Sequence, residues 1–391
     1  MLLNTAPSKP NAQIAQPPIT AETLGDWEAQ LPAIKTRLER EIYGGLPPNA
    51  KPDAVTRVQI IAESAFNDTA RIEEWHIHDN LPLHDKLNPT AMIDKPVMLR
   101  YVLVLPKNMT EPVPVIMMEN FCPNHAVIPV DGITKPTSDY FDCDPSGVMA
   151  GLFRYVFGRY ITSPPVEDIM RRGYGLAVIY PSEIFPDRAS ALAEYRQAPV
   201  PEYPWGAIGA WAYQFDLLAK ALKQNESVTE TIAYGHSRYG KSALLAAAFF
   251  SSIDGVIAHQ SGTGGASLSR NKAGETVAQI TDSYPHWFTP TFREDNLSVD
   301  QHHLLALIAP KPILLGNAKR DVWSDPAGAF QAARAASDVY ALYGSEGLKQ
   351  KRLDEFDATA DIAFWMRPGT HGVVEEDWPA FLDFLDAHFK E

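Results

Sequence analysis

The sequence predicts an α/β fold, with a doubly wound and mostly parallel sheet between two helical layers, an N-terminal extension and loop insertions. Three observations carry this. Short apolar β-rich stretches alternate with helical ones through the C-terminal half, which implies parallel pairing. The 391 residues contain no internal repeat and no boundary within 97–389. Residues 235–241, Gly-His-Ser-Arg-Tyr-Gly-Lys, join an apolar strand to an apolar helix. With 45% hydrophobic and 21% charged residues, the composition is that of a soluble globular protein. The 34 Lys and Arg against 48 Asp and Glu give a net charge of −14, which argues against a nucleic-acid partner. No stretch approaches the ~20 continuous apolar residues of a membrane span.

Met1–Thr20 is rich in Pro, Ala and Gln and reads as a disordered leader without the apolar centre of a signal peptide. Residues 21–391 read as one catalytic domain. Ala21–Tyr43 has helical spacing and stops at Gly44-Gly45. Val55–Ala62, Ala70–His78, Val97–Leu105 and Val113–Met118 read as strands. Asn120–Pro165 is a long irregular stretch, rich in Pro, Asp and aromatics, of the kind that forms a binding insertion or lid. Its Cys143 and the neighbouring Cys122 are equally consistent with one bridge or with two free thiols. Beyond it come a strand over Gly173–Tyr180, a helix over Ala207–Lys223, a strand over Thr229–Tyr234 and a helix over Ser242–Phe250. Gly255–His259, Pro312–Gly316 and Ile362–Met366 are further strands, with Ala266–Ser283 a mixed polar stretch. Ala327–Tyr343 and Trp378–Phe389 are helices.

A serine lifted clear of a sheet edge at a strand-to-helix turn is the nucleophile elbow of α/β-hydrolases, and Ser237 occupies it. The second glycine, Gly240, follows the serine by three residues instead of the usual two, with Arg238 and Tyr239 between. In that fold the partners follow in the order acid, then histidine. His371, in Gly369-Thr-His-Gly372 after a late strand, suits a general base. The acid lies at Asp321 or Asp325, beyond the preceding strand. Asp325 precedes Pro326 and a helix and so also reads as an N-cap, which favours Asp321. The backbone N–H of Arg238 is the expected oxyanion donor, with its side chain as a second, charged one. Lys241, one turn beyond Ser237, faces the same mouth. His76 and His78 share a strand face, but no third ligand suggests a metal site.

These residues resemble the glucuronoyl esterases, carbohydrate esterase family 15, and the bacterial members in particular. The resemblance rests on Gly235–Lys241, Ser261-Gly-Thr-Gly-Gly-Ala-Ser-Leu-Ser-Arg270, Gly274-Glu-Thr276, Tyr284-Pro-His-Trp-Phe288, Asp321-Val-Trp-Ser-Asp-Pro326 and Gly369-Thr-His371. It implies a cofactor-independent cleavage of the ester between 4-O-methyl-glucuronic acid on xylan and lignin alcohols, by a monomer, with members usually secreted or periplasmic. It also implies Ser237 as nucleophile, His371 as base, Arg238 at the oxyanion, and Lys241, Glu275, Trp323 and Gln260 around the uronate. Many members carry the acid in a Glu-Ser-Gly motif, where this chain has Gln260-Ser-Gly262. An amide cannot be an anionic orienter; some bacterial relatives carry the acid as an Asp after the next strand, and the resemblance to them implies Asp321 in that role. Two other readings stand beside this one. A carbohydrate acetyl esterase or general short-chain esterase would have no need of Lys241, Glu275 and Trp323. A carbohydrate-binding pseudoenzyme would have no need of Ser237, Arg238 and His371.

Overall fold

The computed structural model describes residues 15–46, 50–84, 92–137, 140, 143, 156–192, 205–270 and 272–390. Nine strands form one sheet in the order β1-β2-β3-β5-β4-β6-β7-β8-β9. They are β1 (Ala54–Ala65), β2 (Ala70–His84), β3 (Met92–Pro106), β4 (Val113–Glu119), β5 (Gly175–Ile179), β6 (Val228–His236), β7 (Gly255–His259), β8 (Ile313–Ala318) and β9 (Ile362–Arg367). From β5 to β9 every pairing is parallel. The first three strands are added antiparallel, with β3 on β5. Alternation along each strand feeds two cores, since successive side chains point to opposite faces. Val115 and Met117 of β4 join one core, with Trp27, Trp211, Leu244 and Phe330 of covering helices. Ile116 and Met118 join the other, with Ile169, Trp378 and Phe381.

Helices over Leu24–Leu38, Ala207–Leu222, Arg238–Phe249 and Pro326–Leu342 supply the first face, and Val166–Arg171 and Asp377–Phe389 the second. The expected helix over Ala21–Tyr43 starts at a Thr23 capping box and ends in a π-turn over Glu39–Tyr43, closed by Gly44 at φ 86°. The β2–β3 ladder runs to His84 and from Met92, longer than the expected Ala70–His78 and Val97–Leu105, because the hairpin pairs in register beyond the apolar alternation. Within Ala266–Ser283, read only as a mixed polar stretch, Val277–Ser283 is a helix behind a Thr276–Gln279 capping box. A short helix over Gln301–Ala306, also unexpected, is capped by Asp300.

Of the leader expected over Met1–Thr20, residues 1–14 lie outside the described residues. The following segment is held: Arg270 donates to the Ala15 carbonyl at 2.6 Å and His302 Nε2 meets the Pro17 carbonyl at 2.8 Å. Residues 138–139, 141–142 and 144–155 of the insertion expected over Asn120–Pro165 also lie outside the described residues. Cys122 and Cys143 are joined in a disulfide, the bridged alternative of the two open at the sequence level. Among the described residues no helix is long and apolar enough to cross a membrane.

Candidate active site

The carboxyl ends of β6, β7, β8 and β9 meet on one edge of the sheet, and the candidate residues leave the sheet there. Ser237 follows β6 with φ 58° and ψ −120°, a backbone conformation that non-glycine residues rarely adopt and that local contacts must hold. Its N–H donates to the His259 carbonyl on β7 at 2.8 Å, and its own carbonyl accepts from Gly240 at 3.0 Å. Two close approaches fix the glycines. A Cβ on Gly235 would lie 1.9 Å from the Tyr239 carbonyl oxygen, and one on Gly240 would lie 3.0 Å from both the Gly235 oxygen and Ser261 Cβ. Arg238 is the first residue of the helix, where a backbone N–H lacks an intrahelical acceptor. Beneath the turn, Ser242 bonds the buried Glu119 of β4 at 2.5 Å, and burial pushes that carboxyl well above its ordinary pKa.

His371 lies in the loop after β9, and its Nδ1 meets Asp321 Oδ2 at 2.8 Å. Asp321 follows β8 and is 4% exposed; Ser324 Oγ donates to the same carboxylate oxygen at 2.6 Å. Burial alone would raise the Asp321 pKa, but His371 and Ser324 outweigh it and hold it below the ordinary carboxylate value. Asp325, the other acid weighed from the sequence, faces elsewhere. It caps the helix Pro326–Leu342 through Gly328 N–H at 3.0 Å and lies 3.4 Å from Lys272. The His371 ring packs on His236, the residue before Ser237, with centroids 4.7 Å apart. His236 in turn meets His259 Nδ1 to Nδ1 at 3.2 Å. Burial, then the neighbouring His371, His259 and Arg367, lowers His236 well below the usual range, and burial brings His259 down to about 4. Both are neutral at neutral pH.

The Arg238 side chain, expected as a second, charged donor, is ion-paired. Its Nη1 is bound to the Asp187 carboxylate, which also accepts from His286 Nε2 and Trp287 Nε1, each at 2.7 Å. The guanidinium lies over Trp287 at 4.8 Å, Phe121 at 5.4 Å and Tyr284 at 5.6 Å. Asp187 was not found from the sequence, because nothing near it in the chain marks it as a partner for residues 51 and 100 positions away.

Lys241 is turned in beneath the rim, 4% exposed, and donates to the carbonyls of Ser261 and Thr263. Burial lowers its pKa to about 8, with Glu275 opposing. Glu275 is likewise buried, which raises its pKa against the pull of Lys241, Lys272 and the neighbouring Trp323 side chain. Its backbone N–H donates to the Trp323 carbonyl at 2.9 Å, and a Cβ on Gly274 would strike that same carbonyl at 2.4 Å. Trp323 itself is 50% exposed, an unusual position for so large a ring and one open to a ligand. Gln260 is 1% exposed, and both ends of its amide are engaged by the His371 loop. Among the described residues no group of His, Cys, Asp and Glu side chains is arranged to hold a metal ion.

Residues 201–344 match the family model described as "Glucuronyl esterase, fungi". A curated relative, "Carbohydrate esterase MZ0003" from an unknown prokaryotic organism, is 37% identical over 239 residues, 57% of this chain and 55% of its own length. The 4-O-methyl-glucuronoyl methylesterase 1 of Wolfiporia cocos is 32% identical over 154 residues, 35% of this chain and 38% of its own. The matched segment thus spans about half the length of the first relative and less of the second. Solved structures match over nearly their whole length. A promiscuous CE15 esterase from a marine bacterial metagenome is 28% identical with a TM-score of 0.79, covering 97% of this chain and 98% of that one. The glucuronoyl esterase from Solibacter usitatus is 27% identical with the same TM-score, covering 97% and 99%. The fold is that of the α/β-hydrolases, and in residue pattern and over nearly the whole fold the chain is similar to the glucuronoyl esterases of carbohydrate esterase family 15.

Proposed function

We propose that this chain is a serine carboxylester hydrolase that cleaves esters of glucuronic acid or its 4-O-methyl ether through an acyl-enzyme. One observation carries the reading: a hydrogen-bonded His371–Asp321 pair packs against the Ser237 turn, beside a Lys241–Glu275–Trp323 group that a plain esterase would not need. Ser237 Oγ attacks the ester carbonyl and passes its proton to His371 Nε2, while Asp321 holds Nδ1–H and steadies the imidazolium. The negative oxygen of the tetrahedral intermediate is met by the Arg238 N–H, in the positive field of the guanidinium beside it. Collapse expels the alcohol, which takes the proton from His371. Water, deprotonated by His371, then cleaves the acyl-enzyme and releases the uronate carboxylate. Glu275 and Lys241 bind sugar hydroxyls, and the exposed Trp323 ring stacks on the sugar face.

The test is hydrolysis of benzyl glucuronate against p-nitrophenyl acetate, with S237A beside the wild type. Preference for the uronate, lost in S237A, is the expected result. Preference for acetate would make the chain a short-chain esterase, and hydrolysis surviving in S237A would remove the nucleophile.

A further inference from the structure

The loop that carries His371 is built to be held from outside. Glycines at 369 and 372 lie on either side of the histidine, with φ 103° and 148°, so the segment has little stiffness of its own. Three groups support it. Phe157 and Tyr160, from the end of the insertion, exchange backbone bonds with Val373 at 2.8 and 3.1 Å. Arg367, fixed by Asp377, donates to the Thr370 carbonyl at 3.1 Å and the Gly372 carbonyl at 2.7 Å. The third support is Gln260, at the end of β7, itself in left-handed backbone with φ 50°. Its Nε2 donates to the Thr370 carbonyl at 3.2 Å, and its Oε1 accepts from the Gly372 N–H at 2.8 Å.

We propose that Gln260 is a positioning residue, which sets the His371 imidazole by holding the peptide groups on both sides of it, and is not a contact to the uronate. This rests on His371 being the general base. The chemistry selects an amide: one end must donate and the other accept, and at neutral pH no carboxylate or thioether does both. The buried position leaves room for nothing else, since an unmet Gly372 N–H there would cost a hydrogen bond. The side chain that cannot serve as a catalytic acid is thereby suited to carry the base.

The test uses the full chain with Q260M, which keeps length but loses both bonds, and Q260E, which keeps the acceptor and loses the donor. Two readouts are taken: kcat and KM on benzyl glucuronate, and the rate at which diisopropyl fluorophosphate modifies Ser237, which needs the base but no uronate. Misplacing the base slows Q260M roughly 10- to 100-fold in both kcat and modification rate while KM stays near wild type. Q260E is also slowed, because its carboxylate faces the Thr370 carbonyl. Folded variants with wild-type kcat and modification rate would overturn the proposal. So would a raised KM with normal modification, the mark of a substrate contact. If the wild type is modified at Ser237 but leaves benzyl glucuronate intact, the substrate assignment fails and the modification rates still decide the role of Gln260. If Q260M does not fold, Q260E carries both readouts.

Discussion

The Ser237 turn and the His371 loop sit on the same sheet edge but are made in different ways. The turn is held by its own neighbours in the chain: Gly235 against the Tyr239 carbonyl, Gly240 against the Gly235 oxygen, and Ser237 bridging to the adjacent strand. Apart from the nearby Arg367, the loop is held by residues from far away, through Gln260, Asp321 and the Phe157–Tyr160 backbone. Local sterics therefore define the proposed nucleophile, and long-range hydrogen bonds define the proposed base. The first kind of site tolerates little change within a few residues. The second is sensitive to changes 50 or more residues distant.

Removing the orienting carboxylate gives the largest expected effect on the loop. D321N leaves the imidazole without its anionic partner and is expected to lower kcat on benzyl glucuronate by ~10³- to 10⁴-fold. Wild-type turnover in D321N would remove Asp321 from the mechanism and break the contrast, since the loop would then need no distant acid. D325N is the matched control, only four residues on: its carboxylate caps a helix and neighbours Lys272. Its expected cost is about 1 kcal/mol of stability, read by denaturant unfolding, with kcat retained.

Acidification sharpens the comparison from another side. His259 is buried neutral, with a pKa near 4 in the folded chain, against ~6.5 unfolded. The unfolded state therefore binds the extra proton, and stability falls as pH drops from ~6.5 toward 4, by up to about 1.4 kcal/mol per pH unit for this group. His236 is shifted in the same direction. Unfolding measured across that window is expected to show a steeper loss in wild type than in H259Q. Equal slopes would mean that His259 is not held below its ordinary pKa in the folded chain.

How much of this was legible in the sequence follows the same division. Ser237, Arg238 and Gly240 announce themselves because a sharp turn between two apolar elements needs small residues at fixed offsets. The strand order from Val113 onward was readable from the short apolar runs and β7 was placed to the residue, while the short helices over Val277–Ser283 and Gln301–Ala306 were not read. The N-terminal hairpin was read short, because its outer ends are ordered by pairing and not by an apolar pattern. The Asp187 partner of the Arg238 side chain was not read, since Asp187 lies 51 residues back on a loop with no periodicity to mark it. Gln260 was read beside the substrate. Only its two bonds to residues 370 and 372 redirect it, and no pattern in the chain encodes a contact across 110 residues. Trp323 looked more like core by type alone, yet it is half exposed.

The central claim is that Ser237 carries the uronoyl group during turnover. Rapid quenching of the wild type with benzyl glucuronate, followed by mass spectrometry of its peptides, tests it most directly. A glucuronoyl ester on the peptide containing Ser237, absent from S237A, is the predicted result. Turnover with the acyl group on another side chain would contradict it.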